Sequence, residues 1–183
     1  MPRAMDDVGR TLGETWGSTP AERAMSFPCD AHLPDADVAW YRAVDVAAPP
    51  AVTFRWLCQL RVAPYSYDWI DNWGRTSPRT LTPGLDALAI GERFMSIFEL
   101  VAFERDRHVT LALRGAEALF GNFVVTYLVV PQTAGSRLVV KLLVRYPATH
   151  AAIVRVLGPW LDLIMMRRQL LNLKTLAEAT AAT

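Results

Sequence analysis

The chain has 183 residues, 52% apolar and 20% charged, a balance that excludes a disordered chain and is enough for one domain with a real core. Its 19 basic and 18 acidic residues leave a net charge of +1, so neither nucleic acid nor an anionic membrane surface is an expected partner. The longest apolar runs, Phe123 to Pro131 and Leu163 to Met166, are too short to span a bilayer, and MPRAMDDVGRTLGETWG at the start lacks the apolar segment of a signal peptide.

The expected location is therefore the cytoplasm, with Cys29 and Cys58 as reduced thiols. Residues 1–37, rich in Pro, Gly, Ser, Thr and acids, read as an arm that docks on the domain formed by residues 38–183. Within the arm, Thr19 can cap a short helix to Met25, with Pro20 at its first position. Trp16, Met25, Phe27 and Leu33 are spaced anchors for docking.

Ala39 to Val46 alternates and predicts a strand. Pro49 and Pro50 end it, and a helix over Pro50 to Leu60 follows, with Val52, Trp56, Gln59 and Leu60 on one face. An aromatic and acidic turn comes next, and Arg75 to Gly84 is a loop by its Pro and Gly content. Five strands are predicted after it: Ile90 to Ile97, Glu99 to Arg105, His108 to Arg114, Asn122 to Val130 and Arg137 to Tyr146. The short polar connections between them predict antiparallel hairpins.

In the last strand, Arg137, Lys141 and Arg145 alternate with Leu138, Val140, Leu142 and Val144, so a wet face and a dry face are expected. Phe123 to Val130 is apolar on both faces and needs a cover on its second side. Thr149 can cap a final helix whose first piece, His150 to Leu157, is expected to be followed by a bend or interruption at Gly158 and Pro159. The second piece runs to about Ala179. Runs of strands followed by a helix mean α+β: a curved antiparallel sheet wrapped around a long C-terminal helix, with a ligand space between them.

Four blocks carry a family resemblance: WGSTPAERAMSFPCD from Trp16, RAVDVAAPPAVTFRWLCQL from Arg42, YSYDWIDNWGR from Tyr65 and MMRRQLLNLKTLAE from Met165. In these the chain resembles the SRPBCC, or START-like, helix-grip superfamily, in its polyketide cyclase-like branch of mostly uncharacterised bacterial proteins. The resemblance implies a helix-grip fold with a cavity for an apolar or amphipathic small molecule. It carries no universal catalytic set; the scattered glycines form no phosphate-cradling loop or dinucleotide fingerprint, so neither a metal nor a nucleotide cofactor is expected.

The candidate chemistry lies in the turn and on the last helix. Tyr65, Tyr67, Asp68 and Asp71 could perform general acid/base work at a cavity mouth, as in a cyclase or dehydratase; the structural alternative is that the acids cap and close turns while the rings plug the grip. Trp56, Gln59, Tyr65, Tyr67, Trp69, Arg167, Leu170 and Lys174 are the expected ligand-lining residues. Arg167 and Lys174, seven positions apart on one helix face, could receive an anionic or carbonyl group, or pair with Asp68, Asp71 or Glu178. Cys29 and His32 alone make a poor metal site. His108, opening a strand after a polar turn, is expected to be exposed. Three functions remain open: a small-molecule carrier, a cyclase-type enzyme, and an interaction protein, with a homodimer allowed by the apolar strand.

Overall fold

A computed structural model describes residues 11–71, 74–149 and 151–183. His150, Asn72, Trp73 and the side chain of Asp71 lie outside the described residues. One six-stranded antiparallel sheet has the order β1-β6-β5-β4-β3-β2. Its strands are β1 Val38–Val46, β2 Arg93–Phe94, β3 Phe98–Glu104, β4 His108–Leu113, β5 Asn122–Gln132 and β6 Gly135–Arg145. Short helices are α1 Leu12–Thr15, α2 Pro20–Arg23, α3 Pro50–Cys58, α4 Asp68–Asp71 and α5 Glu117–Phe120. The long α6, Ala151–Ala181, packs against β1 and α3. The curved sheet and the long last helix make an α+β helix grip, as the sequence predicts.

Strand register follows the two-residue period. Val125 pairs with Leu142 and Tyr127 with Val140 on the helix side, while Val124–Leu143 and Leu128–Val139 face the other way. Each fully buried aliphatic side chain in these layers contributes roughly 1.5–3 kcal/mol. The predicted strand from Ile90 to Ile97 shrinks to Arg93–Phe94. Gly91 (φ +91°), Met95 (φ +46°) and Ser96 (φ +65°) put three left-handed residues into that stretch, which a strand cannot hold.

The last helix is not interrupted at Gly158 and Pro159, and α6 runs through Pro159 as one element. Gly158 lies against Trp40 so closely that a Cβ there would sit 2.8 Å from the indole Cη2. This glycine therefore serves close packing of helix on sheet.

The sheet face away from α6 is not wet. Phe27, Cys29 and Leu33 pack there with Tyr41, Val139 and Leu143. The Cys29 N–H donates to Thr126 Oγ1 (3.0 Å). Lys141 is buried with its ammonium 2.5 Å from Asp30 and over the rings of Phe27 and Tyr41. Arg137 bonds Glu22 at 2.7 Å. The expected exposure of Arg137 and Lys141 is thus overturned, because each cation has an acid carried by residues 11–37. His108 is also buried rather than exposed, with Nδ1 3.5 Å from Thr110 Oγ1, and burial pushes its pKa down although Glu104 opposes this.

The first half of α6 carries a second apolar row on its solvent side. Ile153, Val156, Leu157, Leu161 and Ile164 are each more than half exposed. No helix among the described residues is long and apolar enough to cross a membrane.

Candidate functional site

Two cavities lie along α6. The first, of ≈ 250 Å³, sits between the helix and the inner face of the sheet. Phe98, Leu113, Val125 and Leu142 form its sheet wall, and Met165 and Met166 its helix wall. Phe120 and Phe123 flank it, so rings and thioethers supply a broad apolar lining that can adapt to shape.

Its polar atoms belong to Tyr127, Asp162, Gln169 and Ser66. The 3.6-residue period puts Asp162, Met166 and Gln169 on one stripe of α6, and the pleat of β5 turns Tyr127 toward them. Tyr127 Oη donates to Gln169 Oε1 at 2.7 Å and lies 3.6 Å from Met166 Sδ. Gln169 Nε2 donates to the Pro64 carbonyl at 2.7 Å. Burial pushes the Tyr127 phenol far above its ordinary pKa, and the Asp162 charge adds to this against the opposing Gln169 bond.

Asp162 is held from behind. Arg42 on β1 points inward among Trp40 and Val44, and its Nη2 donates to Asp162 Oδ2 at 2.7 Å and to the Pro159 carbonyl at 3.2 Å. Its Nη1 donates to the Tyr41 carbonyl at 2.8 Å. Burial lowers the Arg42 pKa, countered by Asp162. Burial raises the Asp162 carboxyl, countered by Arg42. The Asp162 side chain keeps 19% exposure against 2% for Arg42, so the carboxylate borders the cavity and the guanidinium does not.

The second cavity, of ≈ 330 Å³, is lined by Tyr65, Tyr67, Asp68 and Trp69 of the aromatic turn, with Ser77, Arg79, Arg168 and Asn172. Of the turn residues named in the sequence, Tyr65, Tyr67, Asp68 and Trp69 come together here, while the Asp71 side chain lies outside the described residues. The Asp68 carboxylate is engaged structurally, however. Asp68 Oδ1 accepts from Ser77 Oγ (2.5 Å) and Oδ2 from the Ser77 N–H (2.9 Å), which ties α4 to the following loop. The Tyr65 ring stands edge-on to Trp56 at 5.9 Å, and its buried hydroxyl has no partner among the described residues. Burial, then Asp68, pushes the Tyr65 phenol up to about 12. Trp69 is 77% exposed.

The remaining expected lining residues border neither cavity. Trp56 is core, with Nε1 donating to Thr180 Oγ1 (3.0 Å). Gln59 Oε1 accepts from the Thr82 N–H (2.9 Å). Leu170 is fully buried. Arg167 stacks over Trp16 at 5.5 Å, and Lys174 pairs with Glu178 at 2.6 Å and donates to the Asp45 carbonyl. Sequence reasoning passed over Tyr127, Asp162, Gln169 and Arg42. A signal was present for two of them: Arg42 falls on the dry parity of its strand, and Asp162 interrupts WLDLIMM, so each charge calls for the other.

No protein-family model matches the chain, and no curated protein matches it. Solved structures do resemble it. Protein MLL2253 from Mesorhizobium loti superposes with a TM-score of 0.50 at 17% identity, over 78% of this chain and 98% of that one. Protein SA2116 from Staphylococcus aureus gives 0.51 at 10% identity, over 82% and 99%. The di-domain ARO/CYC StfQ from the steffimycin biosynthetic pathway gives 0.50 at 13% identity, over 85% of this chain and 55% of that one. What the chain shares with them is the helix-grip fold. At these identities the likeness concerns the fold alone, and a fold does not by itself fix a function.

Proposed function

We propose that this chain binds an apolar or amphipathic small molecule in the cavity between the sheet and α6. The observation that carries this reading is the ≈ 250 Å³ space itself, walled by Phe98, Leu113, Val125, Leu142, Met165 and Met166 and closed by the Tyr127, Asp162 and Gln169 cluster. An apolar body with a few convergent polar atoms is the common pattern of a small-molecule site. The acid/base reading at Tyr65 and Asp68 has less support, since Asp68 is committed to Ser77 and the Tyr65 phenol stays protonated at neutral pH.

Native mass spectrometry of the purified protein tests the proposal by looking for a co-purifying molecule. Met165→Trp, placed on the cavity wall, should abolish that adduct while leaving the melting curve close to that of the wild type. An adduct that persists in Met165→Trp would place binding elsewhere.

The exposed row Ile153, Val156, Leu157, Leu161 and Ile164 favours a second reading, in which two copies pair through α6. Sedimentation of the wild type against Leu161→Asp tests it: a dimer that becomes a monomer supports pairing, and a monomeric wild type removes it.

A further inference from the structure

We infer that the cavity selects a neutral ligand whose inner end carries a hydrogen-bond donor, a hydroxyl above all, and that Asp162 Oδ1 receives it. The inference rests on the cavity being the binding site.

The donor and acceptor roles at the polar end are fixed by neighbours. Gln169 places one amide atom 2.7 Å from the Pro64 carbonyl, a position that only an N–H can occupy. Its other amide atom, the oxygen, therefore faces Tyr127 at 2.7 Å, and the phenol must donate to it. The single Tyr127 hydrogen is spent, so toward a ligand this oxygen can only accept. Ser66 Oγ accepts from the Tyr67 N–H at 2.6 Å and lies 4.0 Å from Met165 Sδ. Asp162 Oδ2 is taken by Arg42, while Oδ1 has no hydrogen-bond partner among the described residues. A carboxylate oxygen only accepts.

The polar end of the cavity therefore offers acceptors. A ligand ending in an ether, a ketone or a carboxylate would strip water from Asp162 and return nothing. Charge narrows the choice further. Arg42 and Asp162 cancel each other, so an ammonium would leave one uncompensated buried cation and a carboxylate one uncompensated anion. A hydroxyl satisfies Oδ1 without changing the charge.

Equilibrium titration at neutral pH of naphthol, methoxynaphthalene and naphthoate, each against the wild type and Met165→Trp, tests this. The three probes share one apolar body and differ in the polar end. Naphthol should bind about tenfold or more tighter than methoxynaphthalene, and naphthoate should be weakest. Loss of naphthol binding in Met165→Trp would place it in the cavity. Methoxynaphthalene or naphthoate equalling naphthol, with all lost in Met165→Trp, would overturn the donor rule and leave the cavity reading standing. No binding by any probe, or binding indifferent to Met165→Trp, would overturn both. In Asp162→Asn, the amide must turn its oxygen to Arg42 and its N–H to the cavity, so the preference should shift toward methoxynaphthalene. If that variant does not fold, the wild-type series decides alone.

Discussion

Arg42 on the first strand and Asp162 on the last helix meet at 2.7 Å, across a separation of 120 residues. The pair ties one edge of the sheet to the helix it grips, and it does so beside an apolar cavity. Removing one member leaves the other charge buried alone. Arg42→Met or Asp162→Leu should each lower stability by roughly 3–5 kcal/mol, and the double variant should recover most of the loss. Urea denaturation of the three variants measures this; a double variant as unstable as the sum of the singles would mean that the two charges do not interact.

The strand pattern and the apolar face of the last helix were readable because each depends on local periodicity. Val125, Val140 and Leu142 fall on the helix side as their alternation demands. Lys141 and Arg137 misled because periodicity reports polarity and not cover, and their acids, Asp30 and Glu22, lie more than a hundred residues away. The same limit hid the cavity. Arg167 and Lys174 looked like inward cations, yet Trp16 and Glu178 engage them outside it. Asp162 was overlooked because its partner sits on the first strand. Gly158 and Pro159 read as a bend or an interruption, because only the packed Trp40 shows that Gly158 is needed for contact.

The Glu22–Arg137 pair gives a pH signature for the packing of residues 11–37 on the sheet. Burial pushes the Glu22 carboxyl up, but the Arg137 hydrogen bond and charge and the Thr19 bonds outweigh it, leaving Glu22 below its ordinary value of 4.5. Its stabilisation should be full above that value and disappear as pH falls through the lower folded-state value. Thermal melts of Glu22→Gln should lie below the wild type near neutral pH and converge with it in acid. A constant gap across that range would assign the effect to something other than the carboxylate charge.

Both thiols are fully buried, but in different layers. Cys29 lies between the arm and the sheet, where burial and then Asp30 raise its pKa to about 11 against the Thr126 bond. Cys58 lies in the layer under α3, where burial raises it to about 12. Neither should alkylate in the folded protein near neutral pH. In urea below the main transition, Cys29 should be labelled first if the arm opens as a separate unit. Mass-spectrometric mapping of the labelled thiols decides this, and simultaneous labelling would mean that arm and sheet open together.

Tyr65 separates a structural turn from a catalytic one. It holds a left-handed backbone (φ +55°), and its carbonyl accepts from Asn172 Nδ2 at 2.8 Å, so its main chain is pinned to α6. Its ring packs on Trp56, and its buried hydroxyl has no partner among the described residues. An unpaired buried hydroxyl costs roughly 1–3 kcal/mol. Tyr65→Phe removes that oxygen and keeps the ring, the pinning bond and the backbone. The variant should therefore unfold at an equal or higher urea concentration than the wild type. It should also bind naphthol as the wild type does, because Tyr65 borders the other cavity. A clear drop in stability would mean that the hydroxyl has a partner in solution, and would return the aromatic turn to consideration as the reactive site.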